Sequence, residues 1–170
     1  MSEAAATVNQ EPESMNQRAG KYLTFSLEGE EYGIAILKVK EIIGMMPITP
    51  VPHSPHFVKG VINLRGRVIP VTDLRLKFGM EPLEYNERTC IIVVEVAGNE
   101  TTILMGLVVD SVSEVLNIRE DDIQDTPTFG AQLSTDYILG MAKMDGTVKI
   151  LLDIDRVLSA DEMKLVEEPA

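Results

Sequence analysis

The sequence predicts an all-β protein, a sandwich or a pair of small barrels, and three observations carry that prediction. The first is an internal duplication. Gly60, Gly66, Val68, Asp73 and Leu74 recur as Gly140, Gly146, Val148, Asp153 and Ile154, each pair 80 positions apart. Gly33, Val39 and Ile42 recur as Gly106, Val112 and Val115 at a separation of 73, so the later copy holds seven extra residues between its two blocks. Those extras fall in the polar connection Asp121 to Thr135. The second observation is the repeated short run of alternating apolar and polar residues, the period of a strand with one buried face. The third is that turn signals separate these runs and helical patterns occur only as connectors. Closing each half into a barrel removes most exposed strand edges, and each half supplies about five strands.

The elements follow in order. Residues 1–20 are polar and acidic and lack hydrophobic periodicity, so they read as a flexible tail. The first barrel, with its linker, is expected over 21–88. Tyr22 to Leu27 and Tyr32 to Ile36 alternate around a turn at Glu28 to Glu31, which predicts a hairpin with one buried face. Leu37 to Ile43 fits a turn leading into a strand that ends at Gly44. Pro47 to Pro55 holds four prolines, which cannot donate to a central ladder, so this segment crosses the surface in extended form. His56 to Lys59 reads as one helical turn. Gly60 to Leu64 and Val68 to Val71 form a second hairpin around Arg65-Gly66-Arg67, where glycine supplies a positive φ. Asp73 then caps a short helix to Phe78 that Gly79 stops, and Met80 to Arg88 links the halves.

The second barrel is expected over 89–158, with strands at Thr89 to Val96 and Thr102 to Val109 around a loop at Gly98-Asn99. The Val112 to Val115 segment follows, then a hairpin around Asp145-Gly146 and a final strand from Val148 to Leu152. Ser159-Ala-Asp-Glu162 has the spacing of a capping box, which predicts a C-terminal helix within 159–170.

Composition narrows the function. A net charge of −12 repels phosphate backbones, and no basic run or basic-aromatic interleaving offsets it, which argues against nucleic-acid binding. One cysteine, Cys90, forms no internal disulfide and fits a reducing compartment, so cytoplasm is the default. No basic leader precedes an apolar run, and no apolar stretch approaches the roughly 20 residues of a spanning helix.

Catalytic chemistry is thinly supplied. There are two histidines, one cysteine and no glycine-rich phosphate loop between a strand and a helix. His53 and His56 stand three apart, but proline-flanked backbone and the lack of a nearby third ligand favour ordinary loop histidines over a metal site. Cys90 sits among Thr89, Ile91 and Ile92 as a small core residue. Asp121, Asp122 and Asp125 lack the central glycine and terminal glutamate of a calcium loop. Arg65 stands out, because a planar cation at a hairpin tip is free to reach a partner. Val39, Ile42, Val112 and Val115 occupy equivalent places in the two copies, and by their residue type they read as core.

With these residues in view, the chain resembles the CheW family of bacterial chemotaxis coupling proteins from about residue 21 to 163. The likeness is carried by Glu31-Tyr-Gly-Ile34, Val39-Lys-Glu-Ile42, Phe57-Val-Lys-Gly-Val-Ile-Asn-Leu-Arg-Gly66, Val68-Ile-Pro-Val-Thr-Asp-Leu-Arg75, Gly106 to Leu116, Tyr137 to Gly140 and Ile150-Leu-Leu-Asp-Ile154. The resemblance implies two intertwined five-stranded SH3-like barrels around a hydrophobic junction, and a non-catalytic adaptor without cofactor or metal. It implies coupling of the cytoplasmic tip of methyl-accepting chemoreceptors to the regulatory domain of the histidine kinase CheA, in the cytoplasm at receptor arrays, meeting the membrane only through receptors. By position it assigns receptor contact to Val39, Glu41, Ile42, Gly60, Asn63 and Arg65, and shared receptor and kinase contact to Val112 and Val115. Those aliphatic residues then line a groove instead of core.

Two alternatives stand beside this reading: a CheW-like adaptor of another receptor and kinase pathway, and a β-barrel that holds a small apolar ligand. A hydrolase using His53 or His56 is more distant. A fusion to a receiver domain is disfavoured by the short tail after Leu158.

Overall fold

The computed structural model describes residues 18–97, 101–127 and 136–158. Eleven strands are arranged in two sheets: β1 (Gly20–Leu27), β2 (Glu30–Ala35), β3 (Val39–Gly44), β4 (Val58–Leu64), β5 (Arg67–Asp73), β6 (Cys90–Ala97), β7 (Thr102–Val109), β8 (Ser111–Ile118), β9 (Ile123–Gln124), β10 (Ile138–Met144) and β11 (Thr147–Leu152). Two one-turn helices, α1 (Leu74–Lys77) and α2 (Ile154–Val157), and two 3₁₀ turns, η1 (Ile36–Lys38) and η2 (Glu120–Asp122), connect them. The expected all-β pair of SH3-like barrels is what the chain forms.

The sheets do not follow contiguous halves. One runs β3-β6-β7-β5-β4 and the other β8-β1-β2-β11-β10-β9. Replacing each strand of the first order by its counterpart in the other copy gives the first five strands of the second, so the halves have exchanged their leading hairpins. Units 21–88 and 89–158 therefore do not each hold one sheet. Parallel pairs stitch the exchange: Val71 lies opposite Gly106, and Leu151 opposite Gly33.

The exchange explains where the core sits. Ile62, Ile69, Val71, Ile91, Val93 and Val108 fill one barrel, and Tyr22, Ile118, Ile123, Ala142 and Leu151 fill the other. The largest cluster lies at the junction, where Leu23, Phe25, Leu27 and Ile34 of one sheet meet Ile92, Val94, Val96 and Leu107 of the other. Central strands are thus buried on both faces. In β6, Ile91 and Val93 point into the barrel, whereas Ile92, Val94 and Val96 point into the junction. The same holds for β1, so the expected hairpin with one buried face is corrected: Tyr22 faces the barrel and Leu23, Phe25 and Leu27 the junction. As the largest apolar cluster, with burial worth about 25 cal/mol per Å², the junction holds the barrels together.

Other local expectations are met or revised. Asp73 caps α1 by accepting the backbone N–H groups of Arg75 and Leu76, and Gly79 follows with φ +78°. Its counterpart Asp153 caps α2, a helix the sequence reading did not assign. His56 and Phe57 form a turn instead of a helix, because the chain enters β4 at Val58, whose N–H already donates to Pro55 O. The connection from Asp121 begins with structure, namely η2 and β9, which pairs with Met141 and Ala142. The tail prediction stops short of Gly20: β1 begins there, and Arg18 is held by Glu120 and Asp125 at 2.6 and 2.8 Å. The predicted C-terminal helix around Ser159 to Glu162 lies outside the described residues.

Candidate functional site

The site is built on two edge strands, β3 and β8, one at the end of each sheet order. They are counterparts in the duplication. Ion-pair geometry and burial separate their residues into exposed and supporting ones.

On β3, η1 delivers the chain so that Val39 half-buries against the junction core, while Ile42 points outward with 44% of its surface exposed. A register irregularity between Val39 and Glu41 turns the strand against β6. Lys40 then reaches Glu95 across the pair at 3.1 Å. Hydrogen bonds from Lys40 first, and from Thr102, hold the Glu95 carboxyl below its ordinary range.

Glu41 meets Arg65, whose Nη2 lies 2.5 Å from Glu41 Oε1. Arg65 stands in the β4–β5 turn, at the opposite end of the sheet order from β3, so this pair bridges the two edges of one barrel. Arg65 and Gly66 form a two-residue hairpin turn with φ of 51° and 91°, the twist that suits antiparallel strands. Asn63 fixes the turn through Oδ1, which accepts the Gly66 N–H at 2.8 Å. Gly60, at φ +142°, lets Thr49 lie so close that a Cβ would stand 2.1 Å from Thr49 O. Gly60 and Asn63 thus shape the hairpin, its exposed tip residue Arg65 pairs with Glu41 of β3, and Ile42 points from the opposite face of β3.

On β8, Val112 lies opposite Phe25 and Val115 opposite Leu23. Val112 half-buries against the junction and lines a surface depression of about 390 Å³ with Glu87, Arg88, Cys90 and Ser111. Val115 is 49% exposed. The core expectation for these four aliphatic residues therefore divides by position: all four share the junction-side face of their strands, but Val39 and Val112 lean on the core while Ile42 and Val115, three residues further along, are exposed. Thr24 marks the β8 irregularity, donating to Glu114 O and accepting the Glu114 N–H. Cys90, expected in the core, is only half-buried because it opens β6 at the rim.

The remaining polar groups do structural work. Asp73 also accepts the Tyr85 hydroxyl at 2.8 Å, and burial, then this bond, pushes the Tyr85 phenol up. Among the described residues no three of His, Cys, Asp and Glu gather as a metal site, and no helix is long and apolar enough to cross a membrane. The ion pairs Glu41–Arg65, Arg75–Asp110 and Lys38–Asp155 were not found by sequence reasoning. The last two had a signal, since Arg75 and Asp155 are themselves 80 apart and follow the paired caps Asp73 and Asp153.

The family model for the CheW-like domain matches residues 21–162. The chain belongs to the CheW-like family. A chemotaxis protein CheW from Klebsiella aerogenes is 41% identical over 150 residues, 88% of each chain. One from Thermotoga maritima is 33% identical over 145 residues, covering 84% of this chain and 89% of its own. Among solved structures, the scaffolding protein TtCheW from Thermoanaerobacter tengcongensis matches with a TM-score of 0.74 and 35% identity, over 85% of this chain and 95% of that one. The barrel pair seen in the sheet topology thus agrees with the structural likeness.

Proposed function

We propose that this chain is a non-catalytic chemotaxis adaptor that couples the cytoplasmic tip of methyl-accepting chemoreceptors to the regulatory domain of the histidine kinase CheA. It works in the cytoplasm at receptor arrays. The observation that carries the proposal is the paired edge strands: each borders the junction core and turns one aliphatic side chain, Ile42 or Val115, to solvent. Family membership supplies the class of partner.

In this reading Val39, Glu41, Ile42, Gly60, Asn63 and Arg65 form the receptor side. An amphipathic receptor helix lays its apolar face on Val39 and Ile42, and the Arg65–Glu41 pair orients it. Because such an exposed pair is worth only about 0.2–1 kcal/mol, Arg65 re-partners with a receptor carboxylate at little cost. Val112 and Val115 form the second contact strand, shared between receptor and kinase. Gly60 and Asn63 act through the hairpin's shape. Coupling arises when receptor conformations bind or present the adaptor differently, since only a differential affinity shifts a conformational equilibrium.

The small-ligand alternative is disfavoured by the side chains that fill both barrels. The deciding experiment is kinase autophosphorylation with a receptor signalling fragment and CheA, with and without this chain. Receptor-dependent phosphorylation only in its presence supports the proposal. No effect from folded protein assigns the adaptor to another receptor and kinase pathway.

A further inference from the structure

Among the described residues two ion pairs join the barrels, and each sits at the base of one edge strand. Lys38, the last residue before β3, places Nζ 2.8 Å from Asp155 Oδ2 on α2. Asp155 Oδ1 also accepts the N–H of Ala97 at 2.9 Å. Asp110, the residue before β8, binds the Arg75 guanidinium of α1 through both oxygens, Nε at 2.8 Å and Nη2 at 2.9 Å, and accepts the N–H of Glu28 at 2.8 Å.

The two arrangements are the same device with its charges reversed. In both, a helix that follows a strand of one sheet, β5 or β11, holds the base of an edge strand belonging to the other sheet. In both, a carboxylate takes one cation and one backbone N–H. They differ in grip. The Arg75–Asp110 pair is bidentate, its side chains are 11% and 20% exposed, and Arg75 donates further to Glu81 O at 2.8 Å. The Lys38–Asp155 pair is a single contact between side chains 37% and 32% exposed. A planar fork loses less freedom per bond than a flexible ammonium, and lower exposure weakens solvent screening.

We propose that these pairs are cross-barrel clasps that position the two contact strands with unequal stiffness, so that β8 is the fixed strand and β3 the compliant one. Lys38 and Asp110 are positioning residues, acting through the strands that follow them. The proposal deepens the adaptor reading by assigning adjustment on binding to the Val39–Ile42 side.

Amide hydrogen exchange of the full chain tests it without any partner. Lys38→Met should speed exchange across β3 by about two- to fivefold, leave β8 unchanged, and be reversed in Lys38→Arg. Asp110→Asn keeps an acceptor for the Glu28 N–H but loses the charge, and should speed exchange in β8 by about tenfold or more. Uniform acceleration over both barrels, or no change in β3 with Lys38→Met, overturns the clasps; the milder Lys38→Met decides if Asp110→Asn does not fold. Titration of Lys38→Met with the receptor fragment then separates the two ideas. Altered β3 exchange with weakened receptor binding supports both. Altered exchange with unchanged affinity upholds the clasp and removes β3 from the receptor contact.

Discussion

The two hairpin ends of the molecule share one backbone and carry opposite charges. Arg65-Gly66 and Asp145-Gly146 are both two-residue turns at positive φ. Both lead through a strand to a capping aspartate, Asp73 or Asp153, whose N–H donates to an aromatic residue's carbonyl, Phe57 or Tyr137, at 2.8 Å. The side chains then part company. Arg65 closes its barrel against Glu41, whereas the equivalent pair, Asp145 and Glu114, has like charge and cannot do so. Turns, caps and close approaches are constrained by the fold in both copies. Surface charge is not, and its divergence gives one duplicated chain two chemically distinct faces, which a bridging protein requires.

The largest expected break in the backbone half of this comparison is at Gly60 and Gly140. At Gly60 a Cβ would meet backbone, 2.1 Å from Thr49 O, and φ is +142°; at Gly140 the nearest atom is the Ile123 side chain at 2.7 Å, with Gln124 O at 3.1 Å. Gly60→Ala should cost about 3 kcal/mol or more and Gly140→Ala about 1–2 kcal/mol, measured by urea unfolding. Equal losses would mean that the two close approaches are equivalent after all.

A smaller difference is expected at the caps. Asp73 is 4% exposed and accepts two backbone N–H groups and the Tyr85 hydroxyl. Asp153 accepts one N–H, from Asp155, and pairs loosely with Arg156 at 3.5 Å. Asp73→Ala should therefore destabilise by about 2 kcal/mol and Asp153→Ala by about 1 kcal/mol or less, read from denaturant midpoints. Tyr85→Phe should recover part of the Asp73→Ala loss when combined with it, by removing the orphaned hydroxyl.

What the sequence made legible follows the same division. Repeated glycines, the Asp73 cap and the alternating strands are local signals, so the hairpins, α1 and the all-β class were all readable from them, while the choice of barrels over a sandwich rested on the family resemblance. The exchange of hairpins was implied only by the family resemblance, because period-2 patterns specify faces and not partners. The burial of β1 on both faces follows from that exchange and was missed with it. Arg65 was visible as an exposed hairpin cation, but its partner Glu41 lies 24 residues away in sequence and meets it only when the sheet curves until its edges approach. Ile42 and Val115 look like core residues because residue type does not reveal an edge strand.

On the charged half of the comparison, Arg65→Glu sets two carboxylates face to face at the hairpin. With Arg65 69% exposed, the stability loss should stay below about 1 kcal/mol, while receptor-fragment affinity falls about tenfold. Asp145→Arg should change that affinity less, since it lies beside the second contact strand, which the proposal shares between receptor and kinase. Titration of both folded variants checks the assignment, and equal effects would remove the distinction between the faces.

The smallest effect is a pH dependence confined to the β3 side. Glu95 is ionised more readily in the folded protein than in the unfolded chain, because Lys40 and then Thr102 donate to its carboxylate. A depressed folded-state pKa contributes stability that is complete above the ordinary glutamate range. As the pH falls, the unfolded chain binds its proton first, and the contribution is gone once the folded carboxyl is protonated as well. Acidification from neutral pH should therefore loosen β3 from β6, seen as faster exchange or shifted amide resonances in Val39–Gly44. In the second copy the residue equivalent to Lys40 is Ser113, which gives its hydroxyl to Glu31 instead. Lys40→Met should reduce the acid sensitivity of β3, and Ser113→Ala should leave it intact. If β3 responds to acid identically in both variants, the Lys40–Glu95 contact does not hold this strand.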